Sequence, residues 1–232
     1  MSRARARGIG GERLAPLGPL SRRTLARFEL TAGLPAAASI LHRHLGLWRA
    51  ARVLLALAAR RHVDPLAGVP RTDWPALQED LTRWQLRTVV HVDDVARDVL
   101  GLGDDARMAL LADLVSEIGA RFVEANIPVP DARTWELTSE PDRARFVAGL
   151  GARLVNARVA NVAVSDRTLS LDVTACRFVE LCRAAGRPHL APLFCEADSK
   201  YFDSDRSVLV LRRSGTLARG AERCDFRFRY RD

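Results

Sequence analysis

Apolar residues recur at helical spacing through the first half of the chain and form three stripes. The first predicts a helix over residues 35–61, the second a helix capped by Asp73, and the third a helix that begins near Asp104. The stripes are Leu41, Leu45, Trp48 and Leu55; then Trp74, Leu77, Leu81 and Trp84; and then Met108, Leu111, Val115, Ile118 and Phe122. We interpret all three as faces that pack into a core.

The pattern changes near residue 155, where apolar and polar residues begin to alternate, as they do in half-buried strands. The predicted strands are residues 159–164, 168–175, 207–213 and 223–230, and the predicted helices between them are residues 177–185 and 189–199. The sequence therefore predicts an α+β fold, with an N-terminal helical region followed by an antiparallel sheet of about four strands with a helical insert.

Three regions follow from these patterns. Residues 1–20 combine Arg-Ala alternation with Gly and Pro and lack an apolar period, so we expect a mobile basic arm. Residues 21–140 form the helical region, and residues 141–232 form the α+β core that carries the catalytic residues. We expect the last two regions to fold as one compact unit.

Composition excludes several classes of protein. Hydrophobic residues make up 48% of the 232 positions and charged residues 28%, which are globular values. The net charge of +8 is concentrated in residues 1–31 and 205–232, and no stripe of Arg interleaved with aromatic residues occurs between them. The longest apolar run, residues 53–59, is far shorter than the roughly 20 residues that a membrane helix needs. We therefore expect neither nucleic-acid nor membrane partners, and the oligomeric state stays open.

The compartment is expected to be the cytoplasm. Residues 21–25 are similar to a twin-arginine signal, but Glu29 interrupts the apolar segment that should follow. All four cysteines lie in the last quarter of the chain. Their even number is compatible with two disulfides, but a chain of this size does not need them, so reduced thiols are expected.

Familiar catalytic motifs are absent from the sequence. It contains no GxSxG, HExxH, Walker or dinucleotide-binding glycine motif. His42 and His44 are two residues apart, which separates them by about 200° on a helix, so they cannot share a metal ion. Residues 91–94 would suit a hard metal ion only if extended, and we expect a helix there.

The cysteines are the more informative residues. Cys195 and Asp198 are three residues apart and share one face of a predicted helix. Strand alternation turns Cys224 inward and Asp225 outward, and Cys176 closes a strand at the end of the sheet, where a side chain can face a pocket. These side chains either converge on one pocket or, as is common for cysteine, serve as small buried apolar residues.

Several rare residues occur in a specific order: Cys176, Gly186, Cys195, Asp198, Gly220, Cys224, Asp225 and Phe226. In this order and spacing, the sequence over about residues 155–230 resembles the L-2-amino-thiazoline-4-carboxylic acid hydrolase family. Cys182 lies outside the pattern and is taken as structural. In the reaction for which the family is named, water adds at C2 of a cyclic isothiourea, and the ring opens to N-carbamoyl-cysteine.

This resemblance implies a cysteine-dependent hydrolase that acts on a small thiazoline or cyclic amidine-like carboxylate and needs no cofactor. A thiolate at Cys195 or Cys224 would attack C2, and Asp198 would accept a proton or hold the amidinium. We expect the pKa of such a thiol to be lowered by nearby arginine. The candidate catalytic residues are Cys195, Cys224, Asp198 and Cys176, and the candidate substrate-binding residues are Arg212, Arg213 and Asp225.

Three alternatives stay open. Three of the thiolates and Asp198 would satisfy a tetrahedral zinc ion, although no CxxC pair is present. A natural-product biosynthetic enzyme of the same family would use the thiols for a different bond change. A non-catalytic module would use the pocket to bind a small ligand.

Overall fold

The computed structural model describes residues 17–231, and these form eight α-helices and four β-strands. The helices are α1 Arg22–Phe28, α2 Leu34–Ala59, α3 Ala76–Asp98, α4 Asp104–Asn126, α5 Ala132–Leu137, α6 Glu140–Arg153, α7 Arg177–Ala184 and α8 Ala191–Phe202. The strands are β1 Ala157–Val164, β2 Thr168–Cys176, β3 Leu209–Arg212 and β4 Cys224–Tyr230. A π-helical turn, Glu29–Gly33, joins α1 to α2.

The four strands form one antiparallel sheet in the order β1-β2-β4-β3. Helices α7 and α8 are inserted between β2 and β3, so the predicted α+β class is confirmed, with the helical insert in its predicted place. In the register of β2 and β4, Val173 lies opposite Cys224 and Leu171 lies opposite Phe226. This pairing places the end of β2 beside the start of β4.

Two apolar clusters make up most of the core. One joins α2, α3 and α4 to α7 and α8, with Leu86, Leu111, Leu181 and Leu190 at most 1% exposed. The other joins α6 and α8 to the inner face of the sheet. Helix α8 therefore contacts both clusters. It also approaches α4 so closely that a Cβ added at Gly119 would lie 2.5 Å from the Cβ of Ala197, which only glycine avoids.

The first predicted stripe is only half correct, because α2 is kinked at Gly46. This residue has φ +74° and ψ 170°, values outside the helical region. Leu41, before the kink, is buried as predicted, whereas Trp48 and Leu55 after it are 82% and 71% exposed. The kink changes the helical phase, so Ala50 and Val53 face the core instead.

The start of α3 also differs from the prediction. Asp73 does not cap the helix, which begins at Ala76 with the extended Pro75 as its N-terminal flanking residue. Asp73 instead forms an ion pair with Arg158 at 2.8 Å. Proline disfavours helical geometry in the residue before it, and this places Trp74 outside the helix, where it is buried separately.

Helices α1, α5 and α6 lie outside the predicted helices. Each begins at a polar N-cap, Ser21, Asp131 or Ser139, whose side chain accepts the backbone N–H of the third residue after it. These helices are short or weakly patterned, so their caps are the signals that would have revealed them. None of the helices in the described part of the chain is both long and apolar enough to cross a membrane.

Most of the basic arm predicted for residues 1–20 lies outside the described residues. The described remainder contacts the rest of the chain. Leu20 is buried in an apolar cluster with Leu81 and Val155, and the carbonyl of Gly18 accepts a hydrogen bond from Arg153 Nε at 2.9 Å. The packed chain therefore extends at least to Leu17, which contacts Gly149.

Candidate functional site

Cys195 and Asp198 lie one turn apart on α8, and Arg213 connects both to the sheet. Arg213 directly follows β3, and its Nη1 donates to Asp198 Oδ2 at 3.2 Å. Its Nη2 donates to the carbonyl oxygen of Cys195 at 3.0 Å. The guanidinium also lies 5.1 Å from the centre of the Phe226 ring, which is on β4. Arg213 thus fixes the relative positions of α8 and the inner face of the sheet.

The other two candidate cysteines lie where β2 and β4 meet. Cys224 begins β4, is buried, and accepts a hydrogen bond at Sγ from the N–H of Leu217 at 3.2 Å. Cys176 ends β2 and is the N-cap of α7, with the side-chain amide of Asn156 3.9 Å from its sulfur. A sulfur at the start of a helix lies near free backbone N–H groups, and those of Val179 and Phe178 act to lower the pKa of the Cys176 thiol.

These residues are close enough to influence one another electrostatically. Burial raises the pKa of the Cys195 thiol to about 12, with smaller upward contributions from Asp198, Cys176 and Cys224. Arg213 acts in the opposite direction and lowers it. The described structure therefore brings all four candidate catalytic side chains into one region, at the junction of α8, α7 and two strands.

The thiols are protonated at neutral pH, contrary to the expectation of a lowered pKa. Burial raises the pKa of Cys176 to about 11, and it also raises the pKa of Cys224. The positive charge of Arg213 is too weak to offset the loss of hydration around Cys195. Cys182 in α7, taken as structural, is 1% exposed within the apolar core, and burial raises its pKa to about 12.

Asp198 has a pKa suited to proton transfer near neutral pH. Burial raises its pKa to about 6, and the charge and hydrogen bond of Arg213 oppose that rise. A carboxyl group with this pKa is mostly ionised at pH 7 and still basic enough to accept a proton. The side chain is 27% exposed, so it remains accessible to a small ligand.

Asp225 and Arg212 lie on the other face of the sheet from Cys224. Arg212 is exposed and pairs with Arg227 in the register of β3 and β4. The carboxylate of Asp225 accepts hydrogen bonds from the N–H groups of Ser214 and Gly215 at 2.9 and 3.0 Å, and from the Ser214 hydroxyl at 2.7 Å. Burial opposes ionisation, but these bonds lower the pKa of Asp225 to about 2.

Asp225 therefore holds the connection between β3 and β4 rather than facing the thiols. This connection carries Leu217, whose N–H contacts the Cys224 sulfur. Within it, the short 3-10 helix Leu217–Arg219 ends at Gly220, where φ is +90°, a left-handed conformation that favours glycine. Asp225 and Gly220 thus place one backbone donor at the site without touching it themselves.

A buried ion-pair network beside Cys176 was not predicted from the sequence. Arg177 Nε and Nη2 donate to the carboxylate of Glu79 at 2.6 and 2.8 Å, and both side chains are 2% exposed. Arg177 Nη1 also contacts Glu180 at 2.9 Å, and Glu180 accepts the indole N–H of Trp74 at 2.8 Å. Glu79 is 98 residues from Arg177, and no local pattern pairs such distant positions.

Cysteine, aspartate and histidine side chains can also act as metal ligands. Among residues 17–231, no group of three or more His, Cys, Asp or Glu side chains has an arrangement that could hold a metal ion. His91 lies within α3, as expected, and its Nε2 contacts the carbonyl oxygen of Val63 at 3.0 Å.

Comparison with known protein families finds a match, which covers part of the chain. Residues 132–228 match the sequence model of the L-2-amino-thiazoline-4-carboxylic acid hydrolase family. The resemblance inferred from the sequence is confirmed over this stretch. It runs from the start of α5 into β4 and therefore contains all four candidate catalytic residues. No curated protein and no solved structure matches the chain. The thiazoline-carboxylate hydrolase family is named for a hydrolase, which supports a hydrolase in broad terms.

Proposed function

We propose that this chain is a cysteine-dependent hydrolase that opens a small thiazoline or cyclic amidine-like carboxylate. The observation that carries the proposal is the grouping of a thiol, a carboxylate and an arginine. Cys195 and Asp198 share a helix face, and Arg213 contacts both the Asp198 carboxylate and the Cys195 backbone. A nucleophile, a proton acceptor and a cation are the groups that this ring opening needs.

Cys195 is the proposed nucleophile because it is half-buried on the same face as Asp198, whereas Cys224 is almost fully buried. Its sulfur attacks C2 of the ring. The bond between C2 and the ring sulfur then breaks, and that sulfur leaves as a thiol after taking one proton. Water next attacks C2 and displaces Cys195, which yields the urea product. One water is consumed and no electrons are transferred, so the chemistry needs no redox cofactor.

Asp198 is the proposed proton acceptor. A thiol of pKa about 12 does not transfer its proton readily to a carboxylate of pKa about 6 in the free protein. The amidinium group of a bound substrate would place a positive charge beside Cys195, and this charge stabilises the thiolate. Binding and activation of the nucleophile would therefore occur together.

Arg213 is the proposed partner of the substrate carboxylate. Its guanidinium has five N–H donors, and it forms three hydrogen bonds, to Asp198, the Cys195 carbonyl and the Ser199 hydroxyl. Donors therefore remain for a carboxylate. Arg212 faces away from the thiols, so we do not assign it to the substrate.

The test is turnover of 2-amino-thiazoline-4-carboxylate by the purified protein, measured as release of the new thiol with a thiol reagent. We expect Cys195→Ser to abolish turnover while the circular dichroism spectrum stays unchanged. Asp198→Asn should reduce turnover by about 10²–10⁴-fold. Cys182→Ala is the matched control and should retain activity, because Cys182 is 1% exposed within an apolar cluster and is not accessible to a substrate.

Two outcomes would contradict the proposal. Full turnover by both Cys195→Ser and Cys224→Ser would exclude a thiol mechanism. No turnover by the folded wild-type protein on thiazoline or cyclic amidine carboxylates would exclude the proposed substrate class.

A further inference from the structure

A cavity of about 190 Å³ lies on the helical region and contains none of the candidate catalytic residues. It is formed by the start of α1, the segment between α2 and α3, and one face of α3. The lining residues are Arg22, Asp64, Arg71, Arg83, Trp84 and Arg87. Four arginines and one tryptophan around one opening form an unusual lining, and the proposed hydrolysis uses none of them.

Arg83 gives the cavity a rigid positive wall. Its Nη1 donates to the carbonyl oxygen of Leu66 at 3.0 Å, and its Nη2 donates to that of Val69 at 2.8 Å. Its Nε donates to Glu79 at 2.6 Å. The guanidinium is therefore held in place before any ligand arrives, which reduces the entropy lost on binding.

The other three arginines have fewer partners. Arg22 and Arg71 share a single carboxylate, that of Asp80, and more than half of each side chain is exposed. Arg87 is half-buried and forms no hydrogen bond or ion pair with any residue between 17 and 231. Its charge attracts the carboxylate of Glu29 at longer range. Asp64, the one acid in the lining, accepts the backbone N–H of Leu66 at 3.0 Å.

We propose that this cavity binds a small anion that carries a phosphate or carboxylate group. Guanidinium groups bind both kinds of group through paired hydrogen bonds, and here Arg22, Arg71 and Arg87 have donors to offer. The volume is below the roughly 300–1,000 Å³ of drug-sized ligand sites, so the ligand is small. The Trp84 ring supplies an apolar wall against which a planar group can pack.

The test is isothermal titration of the purified protein with inorganic phosphate, phenyl phosphate and succinate at constant ionic strength. Constant ionic strength removes the general screening that any anion exerts on a basic protein. We expect saturable binding of at least one of the three. If phosphate binds more tightly than succinate, the site prefers a phosphate group, and the reverse order indicates a carboxylate. If phenyl phosphate binds more tightly than phosphate, its ring contacts Trp84.

Arg87→Gln should weaken binding at least ten-fold, because Arg87 is the lining arginine without an ion pair. Arg49→Gln is the matched control. It removes one exposed arginine from α2, outside the cavity, and should change affinity less than two-fold. If Arg87→Gln does not fold, the affinity of Arg71→Gln for the same anions is measured instead, and it should also be weakened. Absence of saturable binding, or equal losses in the cavity variants and the Arg49 variant, would overturn the proposal.

Discussion

Glu79 and Arg177 form a buried, two-pronged ion pair between α3 and the first residue of α7. Both side chains are almost completely excluded from water. Arg177 directly follows Cys176, so the position of this thiol depends on a residue in the helical region, outside the stretch that matches the thiazoline-carboxylate hydrolase family. The helical region therefore stabilises the geometry of the candidate site.

Glu79→Gln should destabilise the protein by about 3–5 kcal/mol, because it leaves Arg177 and Arg83 as buried cations with one carboxylate fewer. The measurement is urea unfolding followed by circular dichroism. Glu124→Gln is the control, since Glu124 pairs with Arg206 at 2.9 Å on the surface and should contribute less than about 1 kcal/mol. Equal losses in the two variants would show that burial adds nothing to the Glu79 pair.

The pH dependence of turnover should reveal Asp198. Because its pKa is raised to about 6, kcat/KM should fall as the pH drops below about 6 and the carboxylate becomes protonated. Asp198→Asn should abolish this acidic limb as well as lower the rate. An acidic limb that persists unchanged in Asp198→Asn would assign the titration to another group.

Alkylation by iodoacetamide should distinguish the thiols by exposure. Cys195 is half-buried and should react before Cys182, which is 1% exposed. Because burial raises the pKa of Cys195 to about 12, its rate should increase about ten-fold per pH unit from pH 7 to 10, without a plateau. Peptide mass spectrometry over time measures both quantities. A plateau near pH 7 would show a stable thiolate in the free protein.

Asp225 should contribute to stability only above acidic pH. Its pKa is about 2 in the folded protein and about 3.9 in an unfolded chain, so its contribution is complete above about pH 4 and is lost as the pH falls toward 2. Asp225→Asn should therefore lower the urea midpoint at pH 6 and change it much less at pH 2. Asp203→Asn is the control, because Asp203 is exposed and, unlike Asp225, its carboxylate accepts no backbone hydrogen bonds from a turn in the described residues. A loss of the same size at both pH values would assign the effect to packing.

The sequence was sufficient to predict the sheet and its helical insert, because each depends on local alternation or spacing. Cys195 and Asp198 share a helix face for the same reason. The role of Asp225 was not predictable, since its partners Ser214 and Gly215 depend on how one turn closes. Glu79 was missed because its partner lies 98 residues away, and a buried Glu looks like any surface Glu in sequence.

The kink at Gly46 in α2 is the clearest case in which one residue overrides the apolar pattern of a helix. It leads to a prediction for Gly46 itself. Gly46 has φ +74° and ψ 170°, a backbone conformation that essentially only glycine adopts and that costs other L-residues roughly 1–3 kcal/mol. Gly46→Ala should therefore destabilise the protein by about that amount, even though no atom lies within 4 Å of the added Cβ. Gly151→Ala in α6 is the matched control. It also adds a Cβ into open space, but within an ordinary helix, and should be neutral or stabilise by up to about 1 kcal/mol. Thermal unfolding of both variants measures the difference. Equal stabilisation by the two substitutions would contradict the kink. Helix α2 would then be straight at residue 46, and Trp48 and Leu55 would lie on the buried face that the apolar stripe predicts.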